Sequence, residues 1–262
     1  TSTRTYPNLL RDNHDADLFE HYTRSQLVEL SAGRAPRPIG EPRMYESISL
    51  SADGRHVLAS FLERPFSFIT AYRGFPSRTV VLDRRGATVA TLITQGLREG
   101  GGGGRGGAGG LRALAWRPDG AGLSYIRRAR GGDGGDQIML LVAPFDTTAA
   151  TVVATSADNL GGVTYTRDGS RVFATISRSG RSALATWDLR QPSAERRVIV
   201  GFHHADSLFT RPGELWTQVT PNGIEYALIS SAGGAAYLRG EGLARDFRPQ
   251  PLVPSTSLAD TA

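Results

Sequence analysis

Apolar and polar residues alternate in short runs along this chain, and four of those runs are broken by the same kind of turn. The first is Tyr45–Phe61, where Ile48 and Leu50 alternate with serines, Ala52-Asp53-Gly54-Arg55 turns the chain, and Val57, Ala59 and Phe61 return. The pattern recurs at Leu111–Arg127, at Gly161–Ser177 and at Leu215–Ser231. The turn glycines are Gly54, Gly120, Gly169 and Gly223, in steps of 66, 49 and 54 residues. A period-two alternation predicts strands with one buried face. An Asp-Gly pair is expected to close a two-residue hairpin through positive φ angles. Each unit carries a second hairpin, as at Arg85-Gly86 and Ser179-Gly180, so each predicts four antiparallel strands. Hairpin units recurring near fifty residues predict propeller blades. The fold class is therefore all-β: a partial β-propeller of about four to five four-stranded blades.

The ends depart from this pattern. Residues 1–24 predict a helical segment over Ala16–Tyr22, capped by Asp12 or Asn13, with Leu18, Phe19 and Tyr22 as its apolar face. Ser25–Ile39 predicts a hairpin turned at Ala32-Gly33, the outer half of a blade whose inner half lies elsewhere. Blades are expected over residues 25–242, and residues 243–262 read as an irregular tail without a fourth strand of usual quality. Four units plus an orphan half suggest an incomplete ring, and hence a fragment of a longer polypeptide.

Composition changes this picture little. The chain has 262 residues, no cysteine and a net charge of +5, and all 30 of its basic residues are arginines. Without cysteine there is no disulfide framework and no thiolate zinc site. A secreted or periplasmic location is favoured over a cytoplasmic one. The arginines are scattered, whereas a nucleic-acid binder clusters its cations; no nucleic-acid partner is expected. No run of 18 apolar residues predicts a membrane-spanning helix. These residues hold no basic-then-apolar leader, so any signal peptide is expected to lie outside them.

Candidate chemistry is sparse. Gly-x-Gly-x-x-Gly matches in Gln95–Gly110 precede a strand-like LRALAW and lack the helix that a dinucleotide loop needs, so they read as a loop between blades. Gly131–Asp136 lacks the regular ligand positions of a calcium loop. His14 and His21 lack a metal-binding pattern, and His203-His204 reads as a loop between blades. No Gly-x-Ser-x-Gly elbow occurs, and Ser179-Gly180 belongs to a turn. Neither a catalytic constellation, a cofactor nor a metal site is expected. The unusual stretch is Leu62–Pro76, LERPFSFITAYRGFP. It interrupts the first unit with Arg64, Phe66, Tyr72, Arg73 and Phe75. An apolar connection of this kind packs against the blade or lines a substrate channel.

Here the sequence resembles a known family, the glutamyl endopeptidase-like serine peptidases of the prolyl oligopeptidase family. The resemblance rests on Leu9-Leu10, His14-Asp15, Leu18-Phe19-Glu20, Ser25-Gln26-Leu27, Tyr45-Glu46-Ser47 and Ser51–Gly54. It is most specific at Arg64-Pro65-Phe66-Ser67-Phe68 with Tyr72, Arg73 and Phe75-Pro76. It continues at Trp116-Arg117-Pro118 and Gly240-Glu241-Gly242. The chain departs from the family pattern at Glu63, where histidine is expected, at Ala71, where proline is expected, and in the glycine run before Arg112. The resemblance implies a non-catalytic propeller that gates peptide access to an α/β-hydrolase domain outside these residues. It further implies cleavage after acidic residues, with Arg64 or Arg73 attracting the acidic side chain and Phe66, Tyr72 and Phe75 near it. The alternative is a free-standing propeller that serves as a protein-interaction module.

Overall fold

The computed structural model describes residues 9–99, 110–129, 135–190, 195–204, 215–219, 225–229, 236–239 and 250–251. The predicted turn at Asn222-Gly223 and most of the glycine run fall outside them. One helix, α1 (Asn13–Thr23), precedes the strands. The Asp12 carboxylate caps it, accepting from the Asp15 amide, and Asp15 sits in its first turn. Both features offset the unpaired amides of a helix start. The helix buries Ala16 and packs Phe19 inward. Leu18 and Tyr22, expected on that face, are exposed instead. The i, i+3 pair Ala16 and Phe19 defines the buried stripe, because Phe19 meets two aromatic rings of the first blade edge-on.

The first sheet contains β1 (Ser25–Glu29), β2 (Arg37–Leu50), β3 (His56–Leu62), β4 (Ser77–Asp83) and β5 (Thr88–Gln95), in that spatial order and antiparallel. The predicted Ser25–Ile39 hairpin is present as β1 with the first part of β2. β2 then runs on without a break into the blade, pairing Met44–Leu50 with Val57–Leu62. It therefore serves two ladders. Gly40 makes the passage possible: its φ is +61°, and its amide donates to the Arg85 carbonyl in the β4–β5 turn. Gly86 packs on Gly40 so closely that a side chain there would overlap the Gly40 backbone. Ala59, Phe61, Val80 and Leu82 form the core of this sheet, with Leu27 and Val57 packed against it.

The second sheet contains β6 (Arg112–Trp116), β7 (Leu123–Arg128), β8 (Asp136–Leu141) and β9 (Thr151–Ser156). The third contains β10 (Asn159–Tyr165), β11 (Arg171–Arg178), β12 (Arg181–Asp188) and β13 (Arg196–His204). The fourth contains β14 (Leu215–Val219), β15 (Glu225–Ile229), β16 (Ala236–Arg239) and β17 (Gln250–Pro251). This last strand, described over Gln250–Pro251, pairs with β16 inside the segment expected to be an irregular tail, and its proline suits a sheet edge. The fold is that of β-propeller blades, each a four- or five-stranded antiparallel sheet. Two compact units emerge, Thr1–Trp116 with Leu141–Ala150, and Arg117–Leu140 with Thr151–Ala262. His203 and His204 lie at the end of β13, opposite Ser182 and Arg181, and not in a loop.

The Asp-Gly turns differ from the two-residue form expected of them. At Gly54 and Gly169 the glycine alone has positive φ, at Gly120 it is joined by Gly122, and the backbone bonds Ser51–His56, Arg117–Gly122 and Thr166–Arg171 each enclose four residues. In the first, the Gly54 amide donates to the Ser51 carbonyl and the Ser51 amide to the His56 carbonyl. The Ser51 hydroxyl donates to Asp53 at 2.6 Å and accepts from the amides of Arg55 and His56. Thr166 and Asp168 repeat this arrangement around Gly169. A hydroxyl two residues before the aspartate thus satisfies inward-pointing amides that a shorter turn would not leave. The true two-residue turn is Ser179-Gly180, where both φ angles are positive and Arg178 pairs directly with Arg181.

Candidate functional site

The Leu62–Pro76 connection is held by backbone bonds before any side chain matters. The Glu63 amide donates to the Pro76 carbonyl, closing its base, and the Arg98 amide donates to the Gly74 carbonyl. A short 3-10 turn over Tyr72–Gly74 ends it. Gly74 is required here because a Cβ would sit 2.7 Å from the Arg98 carbonyl oxygen. Ser67 is buried; its hydroxyl donates to Glu99 at 2.8 Å and accepts from the Ile69 amide.

The five candidate residues separate into two groups. Phe66 and Phe75 are buried, stacked at 5.0 Å, and each meets Phe19 edge-on. With Ala16, Met44 and Leu62 they form the core that fastens α1 to the first blade. Arg64 lies 4.9 Å from the Phe66 ring centroid and donates to both Asp17 and Glu20 at 2.6 Å. The hydrogen bonds it donates to Glu20 and then to Asp17 raise its already high pKa. Its planar fork is thereby committed to the helix.

Tyr72 and Arg73 form the other group. Both are exposed, and the Arg73 guanidinium stands 5.8 Å from the Tyr72 ring centroid. Phe68 and Ile69 are exposed beside them in sequence. Burial pushes the Glu46 carboxyl above its usual range, and the Arg73 charge opposes that rise. The surface is therefore aromatic and cationic, with a carboxylate in electrostatic range.

Two neighbouring features were not apparent from the sequence pattern. A hollow of about 280 Å3 lies between α1 and the blade, lined by Glu20, Arg24, Arg43, Met44, Phe61 and Arg64. Arg43 covers the Phe61 ring at 4.4 Å, and Arg24 donates to the Pro42 carbonyl. The second feature is an aromatic cluster in which His56 stacks on Trp116 and meets Phe145 edge-on. The Trp116 indole N–H donates to the Ser49 carbonyl at 3.0 Å. The alternation of β2 and β6 hinted at their faces, but not at the Phe145 loop, which local pattern does not place. Among the described residues no group of three or more His, Cys, Asp or Glu is arranged to hold a metal. Nor is any described helix long and apolar enough to cross a membrane.

The chain is 35% identical over 144 residues to a probable chloroplastic glutamyl endopeptidase of Oryza sativa subsp. japonica. It is 36% identical over 131 residues to the Arabidopsis thaliana protein of the same name. This chain resembles the propeller part of a prolyl oligopeptidase-family peptidase. The match to each glutamyl endopeptidase covers about half of the chain, and the chain spans 14% of either relative's length. Solved structures agree on the fold of these blades. A prolyl endopeptidase superposes with a TM-score of 0.53 at 16% identity, covering 90% of this chain and 34% of that one. A Pyrococcus horikoshii acylaminoacyl peptidase does so with a TM-score of 0.51 at 13% identity, covering 88% and 35%. No family profile matches the chain.

Proposed function

We propose that this chain is the non-catalytic propeller portion of a glutamyl endopeptidase-like serine peptidase. The observation that carries this reading is the 35% identity to the rice protein over 144 residues, on a chain built of propeller blades. In this reading residues 25–242, with the strand Gln250–Pro251, form the blades and residues 1–24 their helical lead. The nucleophile, its base and its orienting acid lie in an α/β-hydrolase domain on the remainder of the polypeptide. The blades gate the approach of peptides to it. A secreted or periplasmic location is favoured over a cytoplasmic one in this proposal, and the two plant relatives are named as chloroplastic.

Within the candidate site the exposed pair Tyr72 and Arg73 is the part we assign to substrate. Arg64 already serves two carboxylates, so Arg73 is the cation left to meet an acidic side chain. Phe66 and Phe75 act indirectly, by holding the loop that presents the pair. The test is a peptidase assay on glutamyl peptides with the 262-residue chain and with the longer polypeptide of its reading frame. The longer form is expected to cleave after glutamate and to lose that activity to a serine-directed fluorophosphonate, while the chain alone is inactive. Activity in the chain alone, or none in the longer form, overturns the proposal. Arg73→Ala in the longer enzyme is expected to raise KM for glutamyl peptides about tenfold, the loss of one charge-assisted hydrogen bond. Unchanged kinetics would remove Arg73 from the site.

A further inference from the structure

Two kinds of wall meet in the hollow of about 280 Å3 between α1 and the first blade. One is charged, and most of that charge is answered locally. Glu20 accepts from Arg64 at 2.6 Å and stands 3.7 Å from Arg24. Glu63 pairs with Arg78 at 3.1 Å, and Asp17 takes the second donor of Arg64. Arg43 is different. Its guanidinium covers the Phe61 ring at 4.4 Å, and among the described residues its side chain has neither an ion pair nor a hydrogen-bond acceptor. A cation–π contact engages the charge of such a group but none of its N–H donors. Arg24 also has donors to spare: its Nε donates to the Pro42 carbonyl, and its terminal nitrogens make no hydrogen bond to a described group. Three arginines thus line the hollow against two glutamates, and Arg43 carries the charge left over.

The other wall is apolar. Met44, Phe61 and Leu62 line the hollow from the blade side and are otherwise buried. A molecule seated here therefore meets an unanswered guanidinium and a hydrophobic surface together. A planar carboxylate matches the fork of that guanidinium. A second negative charge would meet Glu20 and Glu63 across the same small space, which disfavours phosphate and dicarboxylates. The volume also decides against a long ligand. About 280 Å3 falls just short of the roughly 300–1,000 Å3 of drug-sized ligand pockets, so the hollow suits one residue-sized group and not a length of peptide.

We propose that this hollow binds a monocarboxylate joined to a short aliphatic group. Arg43 is its receptor, Arg24 supplies a second set of donors, and Met44 and Leu62 pack on the aliphatic part. That chemistry occurs at the C-terminus of a peptide ending in an aliphatic residue, and equally in a free small acid. Neither Tyr72 nor Arg73 lines the hollow. The proposal does not rest on peptidase activity, and its test reads binding alone.

The chain has two methionines, Met44 in the hollow and Met139 buried in the second sheet, so methyl NMR on 13C-methionine protein reports the site directly. Met44→Leu assigns the signals, and the longer polypeptide of the reading frame serves should the 262-residue chain not fold. N-acetyl-leucine is expected to shift the Met44 methyl saturably, with a Kd on the order of 1 mM, and to leave Met139 unmoved. N-acetyl-leucinamide, which lacks the charge, and inorganic phosphate are expected to leave both unmoved. Arg43→Gln is expected to weaken N-acetyl-leucine at least about tenfold, the loss of charge-assisted hydrogen bonds. Should that variant not fold, the comparison of acid with amide on the unsubstituted protein decides. The tripeptide Ala-Ala-Leu distinguishes the two sources: binding at least as tight as N-acetyl-leucine identifies a peptide end, and loss of binding a free acid. An unmoved Met44 methyl, equal shifts with the amide or with phosphate, or full affinity in folded Arg43→Gln would overturn the proposal. So would binding abolished by Arg73→Ala, since the acid would then sit on the Tyr72–Gly74 turn.

Discussion

Arg64 and Phe75 sit eleven residues apart in one connection, yet they hold α1 by different physics. Arg64 is half-exposed, and its two ion pairs compete with water and salt. Arg64→Ala is therefore expected to cost little stability, and less still at high salt, by urea denaturation. Phe75 is 2% exposed between two rings, so Phe75→Ala is expected to cost about 3–5 kcal/mol in the same measurement. A reversed order would mean that charge, not packing, fixes the helix. The sequence marked both residues as unusual but not their partners. Glu20 and Asp17 lie 44 and 47 positions from Arg64, beyond the reach of any local periodicity. Asp188 gives a prediction in pH. A hydrogen bond from the Arg190 side chain, with the Arg190 amide and the Arg171 charge, holds its carboxyl at about 2, against an ordinary value of 3.8. A depressed carboxyl stabilises the folded state fully above its unfolded value, and that contribution is lost as pH falls through about 2. The fall in thermal stability between about pH 4 and pH 2 should therefore be shallower for Asp188→Asn; an unchanged slope would dismiss the pairing.

The elements themselves were largely legible, because strands and turn glycines follow from alternation and from residue type. Turn geometry was less so. The same Asp-Gly dipeptide fits a two-residue and a four-residue loop; Ser51 and Thr166 support the longer form through a hydroxyl two positions earlier, while Arg117 holds that place in the Asp119-Gly120 loop. These loops offer a controlled comparison. Gly54 and Gly169 have the same φ of +67°, so alanine strains the backbone equally at each. At Gly54 the added methyl meets open space; at Gly169 it overlaps the Asp119 carboxylate and the Arg117 guanidinium. Gly54→Ala is expected to cost about 1–2 kcal/mol, the penalty of a left-handed alanine. Gly169→Ala should cost at least about 2 kcal/mol more, since Arg117 is buried and loses its partners. Equal losses in chemical denaturation would show that Arg117 and Asp119 do not brace that turn.

Across the whole molecule the arginines answer the question raised by a pI near 9.9. Arg37 and Arg84 share Glu29, Arg78 meets Glu63, Arg117 meets Asp119, and Arg171 and Arg190 share Asp188. Cations spent on internal pairs do not form the stripe that a nucleic acid requires. Fluorescence anisotropy with a duplex at about 150 mM salt should give no binding tighter than about 10−4 M; micromolar binding would contradict this reading. What local sequence could not convey at this scale is which sheet faces meet, because a face is defined by strands far apart in sequence.

The continuity of β2 has a mechanical meaning. A strand that belongs to two ladders places them in series along one covalent line. Once α1 is detached, tension applied at the N-terminus reaches β1, peeling its pairs one at a time, as an antiparallel hairpin opens. The β2–β3 ladder then takes the load through the same backbone, with the Gly40 bend between them acting as a joint. Pulled from that end, the first blade should yield in two steps of unequal length, the shorter one first.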